Sequence, residues 1–499
     1  MVSKSRSVVA VAGVTVASAL LFHFGTGLRP VPWLTWLAPF PVLMLAPRVR
    51  ARTAFGAAAV AWLGGETAMW GYFLGTVRIP PPMVVLIIVG SALLFGLVVL
   101  PTRALLLRGR PLLAAAAFPA GWVTVEYTVS LTAPNGAWWS LAYSQAGVLP
   151  VLQTVSITGV WGVTFLVMGA PAAVAALFAP DAKGRLRVAV AAATVLVLAL
   201  GYGGWRLRSP DGRQTERAAL VSTDRTIDPV SVDTPAGRDL LDAYTARIRS
   251  LTAPHIRVVV LPEKVFMADD ASLPALTGPL SRLAVERHAD IIAGLVLRRG
   301  GALYNVAVDL PPDGGRPVTY VKRHLVPGAE SALTPGDGTA FVPGTGTRWA
   351  IAICFDLDFP GLVRDYRRSG ATALFAPAWD FTDDAWLHSR MAVTRGVENG
   401  MTLVRASRQG ALTVSDPHGR VRAEARTSGA SIVSVTADLP TRAVATLYTR
   451  LGDWFAWGCA LLFVAAAALS YLARAGRTGS GETHRTGARR PDVRPNAPV

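Results

Sequence analysis

Three polar residues stand at the ends of apolar runs in this 499-residue chain. Glu263 closes "IRVVVLPE", Lys322 sits in "TYVKRHLVPGAES", and Cys354 ends the apolar part of "AIAICFDLDFP". A thiol can be a nucleophile, and a carboxylate and an ammonium are the kinds of group that would serve one. Each also has an ordinary reading: a solvated strand-end acid, a surface charge, a small core residue. Together, and with these flanks, they are far more specific. Cys354 is one of two cysteines in the chain, so a disulfide framework is not indicated. No CxxC, HExxH, GxSxG or P-loop pattern occurs, which leaves zinc sites, serine-hydrolase elbows and nucleotide-binding loops without support. No metal and no cofactor are expected.

The elements that would hold these residues alternate in type. Short β-branched runs at 256–263, 289–297, 302–310, 348–356 and 371–379 read as central strands, and 274–288 and 385–399 read as helices between them. That is the pattern of one α/β domain of about 240 residues. The candidate groups fall at or just past strand ends, where such sheets place their active sites.

The rest of the chain is of another kind. Overall, 52% of residues are hydrophobic and 16% charged, and mean hydropathy is +0.39, values that point to a membrane protein. Apolar stretches at 7–24, 30–47, 53–75, 82–101, 111–131, 153–179, 186–206 and 447–473 are candidate spans, about eight in all. The second carries Pro39, Pro41 and Pro47 and reads as broken or re-entrant. The first follows Lys4 and Arg6 without a clear cleavage site, and reads as retained. The domains expected are therefore a membrane part at 1–206 with about seven helices, an α/β domain at 207–446, a closing helix at 447–473 and a disordered basic tail at 474–499.

The net charge of +17 does not mark a nucleic-acid partner. From Arg206 to Arg450 there are 30 basic and 26 acidic residues, so the excess lies in the short loops and the tail. Arg48, Arg50 and Arg52, then Arg103, Arg108 and Arg110, then Lys183, Arg185 and Arg187 occupy every second loop. The positive-inside rule puts both termini in the cytoplasm and the 207–446 segment outside it. Trp33, Trp36, Trp138, Trp139, Trp454 and Trp457 read as an interfacial belt. Glu66 and Glu126 fall inside predicted spans, where an acid usually faces a cavity or a partner. Glu126 either helps position the α/β domain or lines a lipid entry path, or, in the ordinary reading, reaches interfacial water.

The motifs "LPE", "YxKxHLVPxxE" and "IAICFDxxFP" resemble the Glu-Lys-Cys motifs of the nitrilase superfamily of carbon–nitrogen hydrolases. "NGAWWSLAYSQ" (135–145) and "ITGVWGVTFLV" (157–167) are similar to the membrane part of its membrane-embedded branch, the apolipoprotein N-acyltransferases. The resemblance implies an αββα sandwich beside the polytopic helical part. It also implies Cys354 as nucleophile, Glu263 as general base and Lys322 as stabiliser of the oxyanion and of the thiolate. Glu330 and Asp356 match supporting acids of the family, and Phe355 stands where those acyltransferases usually have tyrosine. Trp139, Tyr143, Gln145 and Glu126 are candidate contacts for substrate or lipid. Asp384-Ala385-Trp386 keeps part of a further family pattern, and Glu398 reads as structural.

Three functions follow as expectations. The first is transfer of a fatty acyl chain from a phospholipid to the N-terminal diacylglyceryl-cysteine of a lipoprotein, through a cysteine thioester, at a bacterial cell membrane. The second is a membrane-anchored amidase or nitrilase acting on a soluble substrate, and the third a non-catalytic scaffold.

Overall fold

The computed structural model describes residues 2–180, 184–209, 214–343 and 348–479, except the side chains of 2–7 and 472–479. Lys183, the side chains of Lys4, Arg6, Arg474 and Arg477, and the basic tail from residue 480 lie outside the described residues.

The chain up to residue 207 forms α1 (Val2–Gly25), α2 (Pro32–Leu37), α3 (Phe40–Leu45), α4 (Ala51–Gly71), α5 (Pro81–Leu106), α6 (Pro111–Thr132), α7 (Leu149–Leu152), α8 (Val155–Thr158), α9 (Val160–Leu177) and α10 (Arg185–Leu207). Proline opens α2, α5 and α6, where its missing N–H and fixed φ cost the helix nothing. Five of these, α1, α5, α6, α9 and α10, are long and apolar enough to cross a bilayer, and a sixth follows near the C-terminus. Eight were expected. The 30–47 stretch, read as broken or re-entrant, is two short helices parted at Pro39. The 53–75 stretch forms α4, whose glycines and Glu66 lower its mean hydropathy, and it is not among the six. A π-helical turn, Tyr72–Thr76, prolongs α4. Phe22, Trp62, Phe95, Phe118 and Trp122 interlock at the heart of this bundle, with Trp62 and Trp122 centroids 4.2 Å apart.

Residues 215–440 form two stacked sheets. The strands are β1 (Thr215–Ser222), β2 (Val230–Ser231), β3 (Ile256–Val260), β4 (Phe266–Asp269), β5 (Asp290–Arg299), β6 (Ala302–Leu310), β7 (Val318–Val321), β8 (Ala340–Val342), β9 (Trp349–Ile351), β10 (Ala373–Trp379), β11 (Thr402–Arg408), β12 (Ala411–Ser415), β13 (Val421–Arg426) and β14 (Val433–Pro440). Helices α11 (Pro235–Arg249), α12 (Leu273–Arg287), α13 (Pro360–Arg368) and α14 (Ala385–Asn399) connect them. In the first sheet, β14 pairs antiparallel with β1, which runs parallel to β3. Both β3 and β4 line one edge of the long β5, while β6 and β7 continue from its other edge as antiparallel strands. The second sheet has the order β13-β12-β11-β10-β9-β8, with parallel pairing at β9–β10–β11.

Alternation along the strands builds the layers. Ala218 and Leu220 of β1 face the second sheet, and Ala219 and Val221 face Leu240, Tyr244 and Ile248 of α11. Helices α13 and α14 cover the second sheet's far face, which completes the αββα order. That core does not stop at α14: it runs on through Val151, Leu152, Trp161 and Val163 of the membrane helices. After β14, α15 (Leu447–Leu451) ends at Gly452 with φ +63°, and α16 (Trp454–Gly479) follows. The expected single stretch 447–473 is thus two helices.

Candidate active site

Strands β3, β7 and β9 end at one place, and each delivers one of the three candidate residues. Glu263 and Lys322 are 1% exposed, and Cys354 is half-buried. Lys322 Nζ donates to Glu263 Oε1 at 2.8 Å and to Glu330 Oε2 at 2.7 Å. Glu330 Oε1 accepts from Lys264 Nζ at 2.6 Å, and its Oε2 also accepts from the Val326 amide. Asn305 Nδ2 reaches Glu263 Oε1 and Glu330 Oε1 at 2.6 and 2.8 Å. Two lysines and two glutamates therefore form one buried, charge-balanced cluster braced by an amide.

Lys322 and Glu330 are held in their charged forms by their neighbours. Burial works against the Lys322 ammonium, but Glu263 and Glu330 outweigh it and raise its pKa above the ordinary lysine value. Burial likewise works against the Glu330 carboxylate, yet Lys322 and Lys264 push its pKa down to about 2. The Cys354 thiol goes the other way: burial first, then the Glu263 carboxylate, push it well up, against smaller opposing effects of Lys322 and Arg405. Lys322 thus acts in the expected direction, favouring the thiolate, but burial and the Glu263 carboxylate outweigh it.

Cys354 sits at φ +43°, a left-handed conformation uncommon for a residue with a side chain. It opens a 3₁₀ turn, Cys354–Asp358, so the apolar run expected as a strand through residue 356 bends away after Ile351. Asp356 fixes the turn. Its Oδ2 accepts from Tyr320 Oη at 2.8 Å and the Ile353 amide at 3.0 Å, and its Oδ1 accepts from the His324 amide at 2.9 Å. Because Tyr320 and His324 flank Lys322, this one carboxylate ties the lysine strand to the Cys354 turn. Phe355 meets Phe359 edge-on, and Phe359 stacks on His324 at 3.6 Å.

Cys354 Sγ approaches the Trp379 carbonyl at 3.5 Å. The Trp379 indole donates to Gln409 Oε1, and its ring has Lys264 Nζ and the Arg408 guanidinium 4.7 and 4.3 Å from its centre. Lys264 and Gln409 also have positive φ. Next along the chain, Asp380 receives a two-pronged contact from Arg405 and a hydroxyl from Ser407. His388 Nδ1 lies 3.3 Å from Asp380 and 3.4 Å from Asp384, and its Nε2 accepts from Trp138 Nε1–H. Asp380, Asp384 and His388 have the spacing of metal ligands, but Asp380 is already paired with Arg405 and Asp384 accepts from Tyr72.

Membrane elements reach this site. Tyr72 Oη donates to Asp384 at 2.5 Å, Thr76 Oγ1 to Asp383 at 2.7 Å, and the Ala137 amide to the Asp358 carbonyl at 2.8 Å. Trp138, expected in an interfacial belt, is in this seam, stacked 6.0 Å from Tyr72. Glu126 does not reach interfacial water but is buried. It accepts from Trp122 Nε1, the Leu141 amide, Ser140 and Thr164. Gln145 is held by Trp36 and the Pro32 carbonyl, and Tyr143 by Arg395. These three residues brace the 138–145 segment, and Trp139 and Tyr143 line a cavity. Glu398, paired with Arg395 at 2.6 Å and accepting from the Val160 amide, is structural as expected.

Sequence reasoning missed Lys264 and Asn305. Lys264 directly follows Glu263, and Asn305 is the polar interruption in "ALYNVAVDL"; a polar residue inside an apolar strand was the available signal.

Comparison with known proteins agrees with this architecture. Residues 17–173 match the apolipoprotein N-acyltransferase N-terminal domain, and residues 217–445 match the carbon–nitrogen hydrolase domain. The chain is 27% identical over 483 residues to an apolipoprotein N-acyltransferase of Geobacter metallireducens, across 88% of this chain and 91% of that one. It is 28% identical over 367 residues to that of Gloeobacter violaceus, across 67% and 68%. It is 25% identical over 495 residues to that of Allorhizobium ampelinum, across 89% and 87%.

Proposed function

We propose that this chain, which belongs to the apolipoprotein N-acyltransferase family, uses Cys354 to carry an acyl group from a phospholipid to the N-terminal amine of a diacylated lipoprotein. The observation that carries the mechanism is the buried Glu263–Lys322–Glu330 cluster at the end of the strand series that also delivers Cys354. Both donors to Glu263 use Oε1, which leaves Oε2 to take the thiol proton. The thiolate attacks the ester carbonyl. Of the three Lys322 N–H groups two are held by glutamates, and the third is the donor for the oxyanion. Collapse returns the proton to the leaving lysophospholipid and leaves a thioester. Glu263 then takes a proton from the attacking amine, an amide forms, and the thiol is restored.

The same reading places residues 1–206 in the membrane and 207–446 on its outer face, with about eight passes or re-entrant segments and both termini in the cytoplasm. Two observations support it. The helix ends that meet the sandwich, at Tyr72–Thr76, Ala137–Trp138 and Val160, belong to connections poor in basic residues. At the opposite ends Arg48 donates to the Phe178 carbonyl and Arg103 to that of Val49, so the basic loops gather on one side.

The test is made in cells. After deletion of the gene, lipoprotein N-termini are compared by mass spectrometry with those from strains complemented by the wild type or by Cys354→Ala. N-acylation is expected only with the wild type. Unchanged N-termini across all three strains would refute the function.

A further inference from the structure

Glu66 has no part in the chemistry above, yet it is the acid whose burial most needs a reason. It lies in α4, six residues and thus about 9 Å before the Tyr72 that anchors the sandwich. It is 5% exposed, and its Oε2 has no hydrogen-bond partner. The side chain lines a cavity between α4 and the 138–144 segment, together with Met69, Trp138, Trp139, Tyr143 and Leu387.

The polar side-chain groups of Thr26, Trp138, Ser140, Tyr143 and Ser144 in that lining already have partners. Thr26 donates to the Phe22 carbonyl, Ser140 to Glu126, Ser144 to the Leu141 carbonyl, and Tyr143 Oη accepts from Arg395. No ion pair to Glu66 occurs among the described residues. The cavity therefore presents one carboxylate without a counter-ion and three aromatic side chains. An isolated buried carboxylate is costly unless a positive group meets it. Indole and phenol faces attract a compact cation as well. What complements this lining is an ammonium.

We infer that the cavity at Glu66 is a binding site for a primary ammonium group, with Glu66 as its counter-ion. The inference rests on the proposed function for its two possible sources. One is the α-ammonium of the acceptor's N-terminal cysteine, held before it loses its proton; the other is the headgroup of an ethanolamine phospholipid donor. In either case the site selects a substrate by charge, at the seam where membrane helices meet the sandwich.

The test uses the full-length Cys354→Ala protein, which binds without turnover, in detergent micelles and by calorimetry. Short-chain phosphatidylethanolamine is compared with phosphatidylglycerol, and a diacylglyceryl-cysteine peptide with a free α-amine is compared with its N-acetylated form. One ammonium-bearing probe is expected to bind at least about tenfold more tightly than its counterpart that lacks the ammonium. The added substitution Glu66→Gln abolishes that difference and Glu66→Asp keeps part of it, which separates lost charge from lost fold. The pair that shows the difference identifies the source. Equal affinities within both pairs, or a difference that survives Glu66→Gln, would overturn the site. Persistence of the difference in a protein whose wild-type form transfers no acyl group would refute the function and leave the site standing.

Discussion

At the scale of single residues, the cluster separates reactivity from basicity in a testable way. Because the Glu263 carboxylate helps push the Cys354 thiol up, Glu263→Gln is expected to do two opposite things. Turnover falls by about 100-fold or more for want of the base, while alkylation of Cys354 by iodoacetamide at neutral pH becomes faster, since the thiolate forms more readily. Slower alkylation in this variant would mean that Glu263 stabilises the thiolate instead. Glu330 makes a second prediction. Its folded pKa of about 2 lies below the unfolded value near 4.5. The stability it contributes is full above about pH 4.5 and is lost as pH falls toward 2, about 3 kcal/mol in all. Denaturant titrations of the wild type and Glu330→Gln should show that the variant lacks this share of the acid-dependent loss. Parallel pH curves would contradict it.

At the scale of elements, the turn that carries Cys354 is held from the membrane side. Gly136 has φ +55°, and a Cβ there would stand 2.5 Å from the Asp358 carbonyl, the acceptor of the Ala137 amide. Gly136→Ala would impose a strained backbone and push on the nucleophile turn at once. Displacements of about 1 Å at such a position cost on the order of 100-fold in rate. A fall of about ten- to a hundredfold in the rate of thioester formation is expected, with the protein still folded by circular dichroism. Wild-type kinetics would show that the loop does not position the turn. Motifs at this scale were legible unevenly. The 274–288 and 385–399 helical patterns correspond to α12 (Leu273–Arg287) and α14 (Ala385–Asn399); in α12 the buried Leu276, Leu280, Leu283 and Ala284 recur at helical spacing. The bend after Ile351 was not legible, since "AIAIC" is uniformly apolar and the turn is dictated by Asp356 contacts distant in sequence.

At the scale of the whole molecule, the sandwich and the membrane helices share one core. Trp161 and Val163 of α9 pack in the same cluster as Val393 and Val397 of α14, and the buried Arg395–Glu398 pair is completed by Tyr143 and the Val160 amide. A soluble fragment spanning 214–446 would expose the outer face of α14 and strand that ion pair without its membrane partners. It is expected to bind a hydrophobic dye and to aggregate at micromolar concentration. A monomeric, dye-silent fragment would show that the core closes without the membrane part.

The sequence by itself determined the division into apolar helices and an α/β segment, since hydropathy and strand patterning are local properties. It also determined the identity of Glu263, Lys322 and Cys354, since strand ends and short flanking motifs mark them. Tertiary structure alone decided what surrounds them. Lys264 and Asn305 enter the cluster across strands, Glu126 and Gln145 turn inward rather than toward lipid, and Glu66 is left without a partner in a cavity. These are contacts between residues up to hundreds of positions apart, set by how two sheets and a helical bundle close on each other, and no local pattern encodes them.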